Sequence, residues 1–91
     1  MSIVDFLGFL AATLTTGSFV PQVWKTLKTR DTSSISLAMY VMFVAGVTSW
    51  FAWGLAAHQW PVIVANGVTL ILSATVLAFK VFDVVTGKEK P

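Results

Sequence analysis

The 91 residues are 56% hydrophobic, carry six basic and four acidic side chains for a formal net charge of +2, and include no cysteine. With a mean hydropathy of +0.81, so short and apolar a chain has too little polar surface to cover a soluble core, which excludes ordinary soluble enzyme folds. The absence of cysteine excludes a disulfide framework, a thiolate nucleophile and a cysteine-based metal site.

The placement of the charges divides the chain. Residues 6 to 24 and 32 to 79 carry none, while the basic residues stand at Lys25, Lys28, Arg30, Lys80, Lys88 and Lys90. The first uncharged stretch is one bilayer span; the second is too long for one and is interrupted by His58-Gln59-Trp60-Pro61. The pattern predicts an all-α membrane protein with three transmembrane helices, at about 3–27, 34–57 and 61–83, forming a single unit over residues 1–91. The charged tail, 84–91, is expected to fray. Met1-Ser2-Ile3-Val4-Asp5 has no basic n-region, so a removable signal peptide is not expected.

Helix 1 carries Pro21 four residues before Lys25. Proline has no N–H, so the Gly17 carbonyl loses its helical partner, and a kink or hinge is expected between Gly17 and Pro21; a static packing kink is the alternative reading. After it, Asp31-Thr32-Ser33-Ser34 offers N-cap side chains to the apolar run that begins at Ile35. Helix 2 places Met39, Phe43, Gly46, Trp50, Trp53 and Ala57 on one stripe. Large aromatics mixed with Gly and Ala suit an interface or a cavity wall, and a simple packing seam has the same period. In helix 3, Asn66, Thr69 and Ser73 share a face. An amide in hydrocarbon must find hydrogen-bond partners, so Asn66 either faces a wet cavity or ties helices together. Trp24 and Trp60 fall at helix ends, where indoles anchor at the membrane surface, and Pro61 falls where a first-turn proline is tolerated.

Three basic residues lie in the first loop and three lie at or beyond the end of helix 3, and with three crossings both groups share one side. The positive-inside rule puts that side in the cytoplasm of a plasma-membrane protein and puts the N-terminus and the His58 turn outside. The net charge therefore reports orientation, and no nucleic-acid partner is expected. Trp50 and Asn66 lie seven residues before the end of helix 2 and five into helix 3, which at about 1.5 Å per residue is roughly 8 to 10 Å below the outer turn for both. An indole beside an amide suits a sugar, whose CH faces stack while its hydroxyls exchange hydrogen bonds; other small polar solutes fit the same pair. The helix bodies hold no ionisable residue, with Asp5 at the outer margin and Lys80 and Asp83 at the inner one, which favours a downhill facilitator over a proton symporter. No nucleophile–base pair, metal-ligand cluster or phosphate loop is present, so neither an enzyme nor a cofactor is expected. Three helices are too few to enclose a sugar-sized path, and the simplest closed assembly of co-oriented chains is a parallel two-fold dimer in the lipid.

Pro21-Gln22, followed by Lys25-Thr26, Thr29-Arg30, Ser33 and Ile35-Ser36, resembles the PQ-loop motif. With Met39-Tyr40, Trp50 and Asn66 added, the chain resembles the bacterial SemiSWEET sugar transporters along nearly its whole length. The resemblance implies a triple-helix bundle with helix 3 between helices 1 and 2, and a parallel homodimer whose sugar pocket lies on the symmetry axis. It implies that Trp50 and Asn66 contact the sugar from each protomer, that Pro21, with Gln22, is the hinge for alternating access, and that Met39 and Phe43 narrow the cytoplasmic side. Facilitative transport of glucose, sucrose or both across a bacterial inner membrane follows as its expected function. The chain departs from the family at the outer gate, where Trp53, Ala57 and Gln59 replace a frequent tyrosine and an Arg-Asp type of pairing; Trp53 with His58 is the expected substitute. A PQ-loop carrier of another small metabolite such as an amino acid, or a non-transporting assembly subunit, are the alternative readings.

Overall fold

The computed structural model describes residues 2–91, and the regular structure among them is helical: α1 (Ile3–Thr29), α2 (Leu37–Ala57) and α3 (Trp60–Val85). All three are long and apolar enough to cross a membrane. At about 1.5 Å per residue even α2 reaches ~30 Å, the thickness of a bilayer's hydrocarbon.

The helix ends follow from local chemistry. The Ser2 hydroxyl accepts from the Asp5 N–H at 3.1 Å and caps α1, and Asp5 sits in the first turn, where the helix dipole favours an anion. The helix runs through Pro21 without interruption and ends at Arg30, which turns left-handed (φ 56°) and donates its N–H to the Thr26 carbonyl. Asp31 Oδ1 then accepts from the Ser33 N–H at 2.9 Å, and the Ile35 N–H donates to the Thr32 carbonyl at 3.1 Å. That turn takes the Asp31 side chain, one of those expected to cap helix 2, which starts at Leu37 rather than near residue 34. Its cap is Ser36, whose hydroxyl accepts from the Met39 N–H at 3.3 Å. His58, left-handed at φ 53°, closes α2 by donating to the Gly54 carbonyl, and the Gln59 N–H reaches the same oxygen. Pro61 occupies the first turn of α3, where its missing N–H has no helical role.

The three helices form one layer, with Cα extents of 50 × 24 × 14 Å. α3 lies in the middle and packs on both neighbours, whereas no Cα atom of α1 comes within 8 Å of one in α2. Backbone proximity, rather than apolar burial, holds helices together in lipid. Gly54 illustrates it: a Cβ there would lie 3.0 Å from Val62 Cγ1 and 3.3 Å from the Ile63 nitrogen. A buried core of Val23, Ile35, Tyr40 and Val76 forms toward the basic end, and Val47 and Gly54 are buried farther along α2. The only two residues that α1 buries, Val23 and Thr26, both lie beyond Pro21.

The tail does not fray. It turns at Gly87 (φ 80°), and the Glu89 N–H donates to the Asp83 carbonyl at 3.1 Å. Lys80 Nζ donates to the Lys90 carbonyl at 2.8 Å, and the Leu37 N–H to the Pro91 carbonyl at 3.1 Å. The start of α2 and the Lys80 ammonium are donors that need acceptors, and the returning backbone supplies them.

Candidate functional site

Trp50 and Asn66, placed at one depth by the sequence arithmetic, line one hollow. It opens on a face of the layer with a volume of about 420 Å³, and all three helices wall it: Thr16 and Phe19 from α1, Phe43 and Trp50 from α2, Asn66 and Thr69 from α3. Asn66 Nδ2 donates to the Val62 carbonyl one turn back at 2.9 Å. A carbonyl only accepts, so the amide nitrogen must face it, which leaves Asn66 Oδ1 free of protein partners as an acceptor. One turn along, the Thr69 and Thr16 hydroxyls meet at 3.1 Å and tie α3 to α1.

The Trp50 indole is 57% exposed and its orientation is set by Trp53, whose ring meets it edge to face at 5.5 Å and 85°. Together with Gly46 and Ser49 these two tryptophans also line a second open hollow of about 500 Å³. From Gly46 to Trp53 the stripe of α2 thus faces out of the chain. At the foot of the first hollow Phe19 and Phe43 stack at 5.7 Å and 6°, with Tyr40 tilted against both. Phe19 stands two residues before Pro21, so a bend there would shift it against Phe43. Met39 is exposed one turn nearer the basic end, and Gln22 is exposed beside Pro21.

Trp53 and His58, the residues expected at the other mouth, line different hollows. His58 lines a separate hollow with Asp5, Gln59 and Trp60, and Trp53 takes no part in it. Asp31, in the exposed loop at the basic end, has its carboxyl held below the usual carboxylate range by the hydroxyl and amide of Ser33.

Sequence reasoning missed the polar cluster at the basic end. Lys80 and Asp83, read as marginal residues in water's reach, are fully enclosed, as is Thr32. The Thr32 hydroxyl donates to Asp83 Oδ2 at 2.5 Å, and Lys80 Nζ donates to the Thr32 carbonyl at 3.0 Å. Arg30 Nη2 lies 3.7 Å from Asp83 Oδ1, and its guanidinium lies 4.0 Å over the Phe79 ring. The available signal was the i, i+3 spacing of a lysine and an aspartate that share a helix face.

A family described as "PQ loop repeat" matches residues 3–63. The chain is 43% identical over 83 residues to the sugar transporter SemiSWEET of Escherichia coli (strain UMEA 3162-1), covering 91% of this chain and 93% of that one. It is 43% identical over 79 residues to the sugar transporter SemiSWEET of Leptospira biflexa serovar Patoc, covering 87% and 93%. A crystal structure of SemiSWEET in the inward-open conformation superposes with a TM-score of 0.90 at 41% identity, covering 97% of this chain and 95% of that one.

Proposed function

The chain belongs to the PQ-loop family, among its SemiSWEET members, and from that premise we propose that it carries small sugars such as glucose or sucrose down their gradients as a parallel homodimer. The observation that carries this reading is the half-open hollow. One chain leaves the hollow open on one side, yet presents there an indole and a free amide oxygen walled by all three helices. A second copy about a two-fold axis along the membrane normal closes the hollow against its own image. Two halves of about 420 Å³ reach the roughly 300–1,000 Å³ common for small-ligand sites.

In this dimer the paired Trp50 rings stack on the CH faces of the sugar, and each Asn66 accepts from a hydroxyl through Oδ1 and donates to another through its remaining N–H. Bending at Pro21 carries Phe19 relative to Phe43 and opens or shuts the side toward the basic end, with Met39 beyond it. Trp53 and His58 narrow the opposite mouth, from the two protomers together. No ionisable side chain lines the hollow, so the carrier moves sugar without a titrating group in its path. The basic end lies in the cytoplasm of a bacterial inner membrane and the N-terminus outside. Its relatives are named transporters, and this chain performs no bond-making chemistry.

Counterflow of labelled glucose and labelled sucrose into liposomes holding the purified dimer tests the reading, with Trp50→Ala and Asn66→Ala measured beside it. Saturable uptake of one sugar, reduced at least about tenfold in both variants, a loss of ~1.4 kcal/mol or more in transition-state binding, is the expected result. A folded dimer that takes up neither sugar points to another small metabolite; a folded chain that stays monomeric removes the mechanism.

A further inference from the structure

We propose that Thr32, Lys80 and Asp83 are positioning residues for transport: they clamp the loop between α1 and α2 to the end of α3, so that the basic end of α1 stays fixed to α3 and the working motion lies in α1 on the other side of Pro21. The inference rests on the transport reading above and adds to it which part of α1 moves.

Thr32 is gripped from two directions by one face of α3. Its hydroxyl donates to Asp83 Oδ2 and its carbonyl accepts from Lys80 Nζ, with no part of the residue exposed. Burying a lysine and an aspartate is a poor way to gain stability, because desolvation offsets the attraction; it is an effective way to hold one register, because every other register strands a charge. Arg30 reinforces the grip from a left-handed backbone that few non-glycine residues adopt, with its guanidinium over Phe79 and 3.7 Å from Asp83. Local strain of this kind persists where the surroundings over-determine it. The second bond of Lys80, to the Lys90 carbonyl, and the bond from the Leu37 N–H to Pro91 extend the clamp to the first turn of α2.

Across Pro21 the picture reverses. No residue of α1 between Ile3 and Val20 is buried, and the Thr16–Thr69 hydroxyl contact is its side-chain hydrogen bond to α3. The proline removes one backbone hydrogen bond at the boundary, which is where a helix bends at least cost. A foot held by buried charges and a shaft that packs on α3 at Gly8 and Pro61 but bonds it by one hydroxyl pair make a lever whose pivot is Pro21. Thr32 then governs how fast the lever turns and leaves the sugar's contacts alone.

The chain has no cysteine, so pairs of introduced cysteines carry spin labels without background. One pair, Ser34→Cys with Thr86→Cys, spans the clamp. The other, Leu7→Cys with Ile71→Cys, spans the shaft of α1 and α3. In lipid nanodiscs, with labelled protomers diluted by unlabelled ones, addition of the transported sugar should redistribute the Leu7–Ile71 distance and leave the Ser34–Thr86 distance single and unchanged. A Ser34–Thr86 distance that shifts with sugar, or two unchanged distances in protein that still performs counterflow, overturns the proposal. Loss of counterflow in the unlabelled parent overturns the transport reading instead. Thr32→Val should slow counterflow at least fivefold with the half-saturating sugar concentration within twofold of the parent, and Thr32→Ser should restore the rate. A valine variant as fast as the parent, or one that only loses affinity, also overturns it; if that variant fails to assemble, the two label pairs decide.

Discussion

On the basic side of Pro21, α1 buries Val23 and Thr26 and leads into a loop whose Thr32 is wholly enclosed; on the other side, it buries nothing and borders an open hollow. The same helix is therefore a fixed support over its last two turns and a loosely held wall over the rest. The difference lies in which groups meet. At the basic end carboxylate, ammonium and hydroxyl groups bond one another and the backbone away from water, leaving Asp83 Oδ1 and Arg30 Nε without a hydrogen-bond partner, and in the hollow the Asn66 oxygen has no partner among the described residues while Trp50 meets the edge of Trp53. Buried polar contacts set the register at the basic end, whereas the open face leaves an indole and an amide oxygen available.

The comparison breaks most directly through stability. Asp83→Ala removes the acceptor of Thr32 and the partner of Arg30, and breaking such a buried charge network costs about 3–5 kcal/mol. Asn66→Ala, which removes an unused oxygen and one Nδ2 bond to the Val62 carbonyl within the same helix, should stay within roughly 1 kcal/mol of the parent. Thermal unfolding in detergent checks both, and equal losses would show that the hollow is as much a part of the packing as the clamp.

A smaller contrast lies along α2. Gly54→Ala places a methyl 3.0 Å from Val62 and against the Ile63 backbone, and overpacking of this kind costs about 1–3 kcal/mol. Gly46→Ala meets nothing within 4 Å and gains up to about 1 kcal/mol of helix propensity. It should unfold no earlier than the parent while slowing sugar counterflow, because the added methyl stands between Phe43 and Trp50 on the open stripe. A destabilised Gly46 variant with parental transport would place that face inside a packed seam.

Pro21→Ala tests the boundary between the two regions. Restoring the N–H gives the Gly17 carbonyl its partner and stiffens the pivot, so exchange should slow by about tenfold, ~1.4 kcal/mol in the barrier, with sugar affinity unchanged. Counterflow rates over a range of sugar concentrations separate the two effects, and a variant with parental rates sinks the hinge.

The three spans were legible because charge and hydropathy are local properties, and the shared depth of Trp50 and Asn66 followed from helical rise alone. The stripe from Met39 to Ala57 was legible as a stripe, but its period is the same for a seam and a cavity wall. Only the middle position of α3, which holds α1 and α2 apart, turns it outward. The start of α2 was misplaced because Asp31 spends its side chain on the Ser33 amide, and a run of four cap-forming residues does not say which one caps. Of the clamp, the shared helix face of Lys80 and Asp83 was legible and their partner was not. Thr32 meets Asp83 across 51 positions and Lys80 across 48, so its burial depends on loop and tail converging, and no local pattern encodes that.

Asp31 separates the clamp from the loop that carries it, with the smallest expected effect. Its carboxyl is fully exposed and is held below its ordinary value by Ser33. A carboxylate depressed in the folded state contributes stability above its unfolded pKa of about 4 and loses it as pH falls through the lower folded value. Between pH 7 and 5 the parent and Asp31→Ala should therefore differ in unfolding temperature by a constant small amount, and below about pH 4 the gap should close. Thr32 is held by Asp83 and Lys80 rather than by Asp31, so the variant should transport at the parental rate at neutral pH. An unfolding gap that does not narrow as pH falls below about 4 would assign the contribution to packing instead of charge, and slowed counterflow in Asp31→Ala would show that the exposed turn, and not the buried charges behind it, holds the foot of α1.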